Sequence, residues 1–477
     1  MGPIWLLVIA AISGRAYEDE GLTISHRAQL FLDSDLIAAA TGVTRSIHPP
    51  QKNSENPIFR ADKPWEGGAV FMYGTLAPSP DGKLYHLWYQ AFNYNAPVGE
   101  RSYLCYARSS DGIHNWEKPN LGQFEYRASK DNNIFFGSGY HDTHSASVVY
   151  DPKAQEVERC FKLFIWDVRP DRGLHYAYST DGITWTWHGK NPVLTGIGDV
   201  PVTIWDPQSQ RILCYAKVNR EVLGRPRRVI ALSESIDGVH WTEPKVVLQP
   251  DAVDPYDTDF YGMTVLPHEG IYLGFIWVFH TDTSRDTIDV QMAYSRHRDG
   301  PWKRVTAVDS LGYESRPVFL PLGPPESWED GMVFTNNLPI VFQDEVRFYY
   351  SGWDGRHDQD EPRNSAIGMA TLPRDRYVSL EAEGDGECVT IPLVWPGGQL
   401  CLNVDSLDGE VRAGLRNQKG DWYPGHSLED CQPIRTNEFE AKAVWKNGAA
   451  PEIEPGSPVQ IVFRLRHAKL YAFRVKD

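Results

Sequence analysis

Ser110-Asp111-Gly112-Ile113-His114-Asn115-Trp116 decides the fold, because it comes back along the chain. It returns as Ser179-Thr180-Asp181-Gly182-Ile183-Thr184-Trp185 and as Ser235-Ile236-Asp237-Gly238-Val239-His240-Trp241, with a shorter copy at Arg298-Asp299-Gly300-Pro301-Trp302. Asp375-Arg376-Tyr377-Val378 reads as a worn fifth copy. Asp-Gly supplies a left-handed turn between two strands. The strand before it alternates, as in Leu104-Cys105-Tyr106-Ala107 and Leu174-His175-Tyr176-Ala177-Tyr178. A further strand pattern lies upstream of each copy, at 83–89, 161–166, 211–215, 271–277 and 346–350. Five units of about four strands match the ~40–50-residue propeller blade with loop insertions. The expectation is an all-β chain with a five-bladed β-propeller over 61–378. A continuous sandwich or a β-helix is the alternative, and the uneven insertions favour the propeller.

Working outward, residues 17–60 precede the first unit and lack the repeat. From 379 to 477 the Asp-Gly-x-x-Trp turn is absent and short alternating strands take over, as in Gln399-Leu400-Cys401-Leu402-Asn403-Val404. This stretch is expected to be a jelly-roll β-sandwich. Residues 1–16 form a short apolar run ending in small residues, the pattern of a signal peptide, so a secreted or periplasmic protein is expected. No stretch is long and apolar enough for a membrane-spanning helix.

The charge balance of −16 argues against a nucleic-acid partner, which needs a basic face. The 16 tryptophans, 23 tyrosines and 19 phenylalanines favour strands, and aromatic planes also stack on sugar rings. The six cysteines form no C-x-x-C pair, so no zinc site is expected. Cys105 and Cys214 fall inside strand patterns and are expected to be buried free thiols. No metal ligand set and no cofactor is expected, and a structural calcium ion stays open. Oligomeric state is not legible.

In a propeller the first strand of each blade lines a central pocket. Each such strand here has an acid at or near its start: Glu66, Asp142, Asp199, Asp259, and the pair Glu329 and Asp330. Crowded carboxylates split their pKa values, which suits one as acid and another as base or nucleophile. Asp142, Asp199 and Asp330 are the preferred catalytic group, with Glu66 and Asp259 as further candidates. An acid before a strand is also an ordinary turn residue. For substrate binding the candidates are Trp65, His141, His144, Arg316, Trp328, Glu329 and Trp353. The bland readings are core packing for the tryptophans, a structural histidine for each His, and a surface salt bridge for Arg316.

Five units with acids on their leading strands, followed by a sandwich, resemble the glycoside hydrolase family 32 and 43 superfamily. Asp62-Lys63-Pro64-Trp65-Glu66-Gly67-Gly68, Ser351-Gly352-Trp353-Asp354-Gly355 and Pro424-Gly425-His426-Ser427-Leu428-Glu429-Asp430-Cys431 are similar to family-32-like bacterial hydrolases. The Asn-Asp-Pro-Asn-Gly, Arg-Asp-Pro and Glu-Cys motifs of family 32 are missing from 61–378. The resemblance implies an exo-acting glycoside hydrolase on a plant, algal or microbial carbohydrate. A non-catalytic glycan-binding propeller is the alternative. A sialidase ranks lower, because five units rather than six are read and no arginine trio is evident.

Overall fold

The computed structural model describes residues 22–97, 100–137, 143–154, 156–168, 171–282, 284–359, 363–446, 448 and 450–476. The chain is all-β: among these residues the one helical element is a single 3-10 turn, Val157–Arg159. Two compact units form, one from Pro49–Arg304 and Val318–Leu372, the other from Met1–His48, Val305–Pro317 and Pro373–Asp477.

The larger unit holds five antiparallel groups. The first joins Ala69–Pro78, Tyr85–Phe92, Ser102–Ser109 and Ile134–Gly137. The second joins His144–Tyr150, Phe161–Asp167, Gly173–Ser179 and Thr186–Trp187. The third joins Val202–Asp206, Arg211–Val222, Arg225–Ser235 and Lys245–Leu248. The fourth joins Thr258–His268, Ile271–His280, Thr287–Ser295 and Lys303–Arg304. The fifth takes Met332–Thr335, Glu345–Trp353 and Ser365–Pro373 from late in the chain, and its last strand, Gln51–Lys52, from before the first group. That strand clasps the end of the unit to its beginning.

Each leading strand carries a buried hydroxyl residue, Thr75, Ser147, Thr203, Thr264 and Thr335, none more than 4% exposed. Buried hydroxyls need partners, and all but that of Thr203 find them across groups. Val148 N donates to Thr75 Oγ1 at 2.9 Å, and Thr203 N donates to Ser147 Oγ at 3.1 Å. The Thr264 and Thr335 hydroxyls meet at 2.9 Å. Asn337 Nδ2 donates to both Thr75 and Ser147, at 3.2 and 2.6 Å. The third and fourth groups are joined by arginines instead. Arg227 donates to Thr258 O at 2.6 Å, and Arg225 and Arg228 each lie 3.0 Å from the Asp259 carboxylate.

The repeated turn explains the outer packing. In each full copy one aspartate Oδ1 accepts the backbone N–H groups two and three residues on, at 2.7–2.8 Å, and the Oγ of Ser109, Ser179 or Ser235 accepts the glycine N–H. The glycines have φ of 75°, 74° and 86°. A Cβ on them would meet Tyr349, Trp88 and Phe164, each from the second strand of the preceding group, the fifth group preceding the first. In the shorter copy, Tyr215 donates to Arg298 O at 2.9 Å. The turn is thus a docking peg between neighbouring groups, which is why the tryptophan and glycine recur. The worn fifth copy is not one of these: Asp375 itself has φ 64° and pairs with Arg474.

The smaller unit is organised by one long strand, Pro458–Lys476, which pairs with Val378–Thr390, Gln399–Asp405 and Glu410–Arg416. Ile37–Thr41 and Thr44–Ile47 also pair with Val378–Thr390. The early segment, expected as an extension of its own, therefore divides: Ile37–Thr41 and Thr44–Ile47 join this sheet, while Gln51–Lys52 joins the larger unit. Phe31, Trp395, Trp445, Phe463 and Phe473 form its core. All six cysteines are free thiols, and Cys105 and Cys214 are buried, as expected.

Candidate active site

Just ahead of the hydroxyl residues, three leading strands carry bulges: between Phe71 and Thr75, between His144 and Ser147, and between Phe260 and Gly262. A bulge re-aims the side chains around it. Gly74 and Gly262 permit two of them, since a Cβ there would lie 2.1 Å from Trp88 O and 2.4 Å from the Trp277 ring. Tyr73 and Tyr261 lie within two of these bulges, and His144 borders the third.

These gather with side chains from the other groups. The Tyr73 ring stacks on Trp277 at 6.0 Å and meets His144 at 6.0 Å and Phe334 at 5.3 Å. Phe71 bridges Tyr73 to Trp353, at 5.2 and 4.8 Å. Lys217 Nζ pairs with Asp199 at 2.6 Å and lies 3.6 Å from the centre of the Tyr261 ring. His357 lies between Asp358, 2.6 Å from Nδ1, and the Tyr261 hydroxyl, 3.0 Å from Nε2. All five groups contribute to this one cluster.

Its charge states follow from these contacts. Burial opposes ionisation of Asp199, but Lys217 and then His144 outweigh it and hold the carboxyl down at about 2. The Asp199 side chain is nonetheless 35% exposed, an ionised carboxylate within reach of a ligand. Burial, with Tyr261 and Asp199 nearby, pushes the Tyr73 hydroxyl well above its ordinary range. Burial lowers the His357 pKa, so the ring is neutral near pH 7. In that form Nδ1–H donates to Asp358 and Nε2 accepts the Tyr261 proton, the tautomer following from the two hydrogen bonds. Asp286, His357 and Asp358 lie close enough to share a cation. Both imidazole nitrogens are already hydrogen-bonded, which leaves no free lone pair for a metal.

The sequence candidates divide. Asp199, His144 and Trp353 are brought together here, and Asp259 adjoins them through Arg228. Glu66 is placed elsewhere: fully buried, it accepts from Tyr89, Lys118 and the N–H groups of Asp62 and Lys63. Lys118 also borders an open groove of about 550 Å³ that includes Phe59, Asp62, His114 and Trp116. Trp65 is core, donating to Asn133 at 3.0 Å. Trp328 stacks on Tyr350 at 5.8 Å, and Glu329 pairs with Lys52 at 2.9 Å. Asp330 accepts from Glu326 N at 2.7 Å, a turn contact. Arg316 belongs to the smaller unit. His141, Asp142 and the apolar run 1–16 lie outside the described residues. Tyr73, Lys217, Arg228, Tyr261, His357 and Arg363 escaped the sequence reading. The signal for two of them was present: Tyr73-Gly74-Thr75 and Tyr261-Gly262-Met263-Thr264 repeat a Tyr-Gly pair ahead of the hydroxyl residue.

No protein-family model matches the chain, and no curated protein does. Among solved structures the chain is similar to five-bladed propeller glycoside hydrolases of the family 32, 43 and 130 type. A fructofuranosidase from Schwanniomyces occidentalis complexed with fructosylnystose is 12% identical, over 90% of this chain and 98% of that one, with a TM-score of 0.45. A thermostable family-43 glycoside hydrolase is 14% identical, over 65% and 94%, at 0.44. An N-acetylgalactosamine deacetylase from F. plautii in complex with blood group B trisaccharide is 15% identical, over 70% and 96%, at 0.44. At these identities and scores the likeness says nothing about which reaction this chain performs.

Proposed function

We propose that this chain is a carbohydrate-active enzyme of the glycoside hydrolase class, with a five-bladed β-propeller followed in sequence by a β-sandwich. The observation that carries the reading is Asp199: an ionised, partly exposed carboxylate in a cluster of side chains drawn from all five groups. Such a carboxylate can take a proton from an attacking water or attack the anomeric carbon itself. The departing glycosidic oxygen then keeps the bonding electron pair and needs a proton. Asp142, two residues before His144 in the chain, is the sequence candidate to supply it. Exo-action on a plant, algal or microbial glycan, and export by the run at 1–16, belong to the same proposal. A glycan screen with the parent protein and Asp199→Asn tests it. Hydrolysis by the parent, reduced at least ~10³-fold in the variant, is expected. Hydrolysis untouched by Asp199→Asn overturns it.

A second reading, glycan binding without turnover, draws support from the other acids. Glu66, Asp259 and Glu329 are each held by a lysine or arginine, and Asp330 by a backbone N–H. Each is thus engaged by the protein's own groups. Calorimetry showing glycan binding with no released sugar over days favours this reading.

A further inference from the structure

Arg363 and Trp353 each present a buried donor with no acceptor, side by side at the site. The Arg363 guanidinium lies 5.4 Å from the Trp353 ring centre and 5.9 Å from that of Tyr94. One terminal nitrogen donates to the carbonyls of Arg356 and His357, while Nε is buried and unpartnered. Trp353 is 5% exposed, and its Nε1–H is likewise unpartnered. Leaving a buried donor unpaired is costly, more so for a charged group. A ligand acceptor relieves that cost.

The acids nearby are already engaged. Asp199 pairs with Lys217, Asp259 with Arg225 and Arg228, and Asp358 with His357. Asp354, next to Trp353, accepts from Asn364 N and Nδ2, both at 2.8 Å. Among the described residues Arg363 has no carboxylate partner. Arg228 nears His357 by way of Phe279. Its guanidinium is 5.2 Å from the Phe279 ring centre, it uses one nitrogen on Asp259, and it is 33% exposed. The Phe279 ring lies 4.6 Å from the imidazole whose backbone carbonyl Arg363 holds.

We propose that the site takes a glycan bearing a carboxylate, a uronic acid residue, which Arg363 receives with Trp353 Nε1 and Arg228 beside it. A planar guanidinium held on an aromatic face presents paired N–H groups in the geometry of a carboxylate. This identifies the substrate class of the site and rests on the glycan reading above.

The test is calorimetric binding to the Asp199→Asn protein. The probes are glucuronate- and galacturonate-terminated disaccharides and the same sugars as methyl esters, which keep the shape and lose the charge. Tighter binding of at least one acid than its ester, by about tenfold or more, is expected. Arg363→Gln should weaken acid binding far more than ester binding and so erase that difference, while Arg363→Lys keeps part of it. Equal affinity for acid and ester overturns the inference, as does an equal loss for both in Arg363→Gln. In either case a glycan still binds and the functional reading stands. If neither form binds, and no glycan from the screen is bound or cleaved, the functional reading falls and this inference with it.

Discussion

Lys217 Nζ lies 2.6 Å from Asp199 Oδ1, and this ion pair joins the second strand of the third group to the loop before its first. The same ammonium covers the Tyr261 ring, so one cation sets the charge of the carboxylate and the packing of the fourth group's tyrosine.

Removing that cation should move a pH profile. With the Asp199 pKa held down to about 2, the ionised form is complete well below neutral pH. In Lys217→Met the carboxyl rises toward or past its ordinary value near ~4, by roughly 1–3 units. The acid limb of the hydrolysis profile should shift upward by that amount, with the plateau near pH 7 less affected. A limb that stays in place shows that Asp199 is not the titrating base.

Asn337 ties the first, second and fifth groups together through Thr75 and Ser147. Asn337→Ala strips one partner from each hydroxyl in a fully buried setting. Urea unfolding should show a loss of about 2–3 kcal/mol. Asn337→Asp should do worse, since it buries an acid beside hydroxyls that are already donating.

The clasp strand can be loosened by charge. Lys52 pairs with Glu329, whose side chain is 8% exposed. Lys52→Ala takes the cation from that carboxylate and leaves it the neutral Tyr350 hydroxyl, and a cost of roughly 2–4 kcal/mol is expected. Adding Glu329→Gln should recover part of it, and a double-mutant cycle in urea measures the recovery.

The turn aspartates give the larger unit an acid-sensitive seam. Burial works against the ionised form of Asp111, Asp181 and Asp237, but two backbone N–H groups and a serine outweigh it, and all three pKa values fall below the ordinary range. A depressed carboxyl contributes stability that is present above about pH 4 and is lost as pH falls through the folded value. Stability should therefore drop between pH 4 and 2, and the triple Asp→Asn variant should show a flatter slope there by urea titration at stepped pH.

The repeat was legible because its physics is local. Asp-Gly makes its turn from its own residues, and the serine and aspartate bond within five positions, so spacing alone marked out the strand groups. The strand pattern also foretold the buried thiols. It did not reveal that Gln51–Lys52 closes the fifth group, since that pairing spans more than 300 residues and two polar residues carry no strand signal.

The repeat of the opening stretch, and with it the all-β character of the chain, was settled by sequence alone. Which acids meet was not. Glu66 and Asp199 look alike in sequence, each near the start of a leading strand. One is enclosed by Tyr89 and Lys118, and the other meets Lys217 among aromatic rings. Bulges at Tyr73, His144 and Tyr261 re-aim side chains, and arginines from a neighbouring hairpin claim Asp259. These are long-range contacts, and only the tertiary structure decides which carboxylate is left open to a ligand.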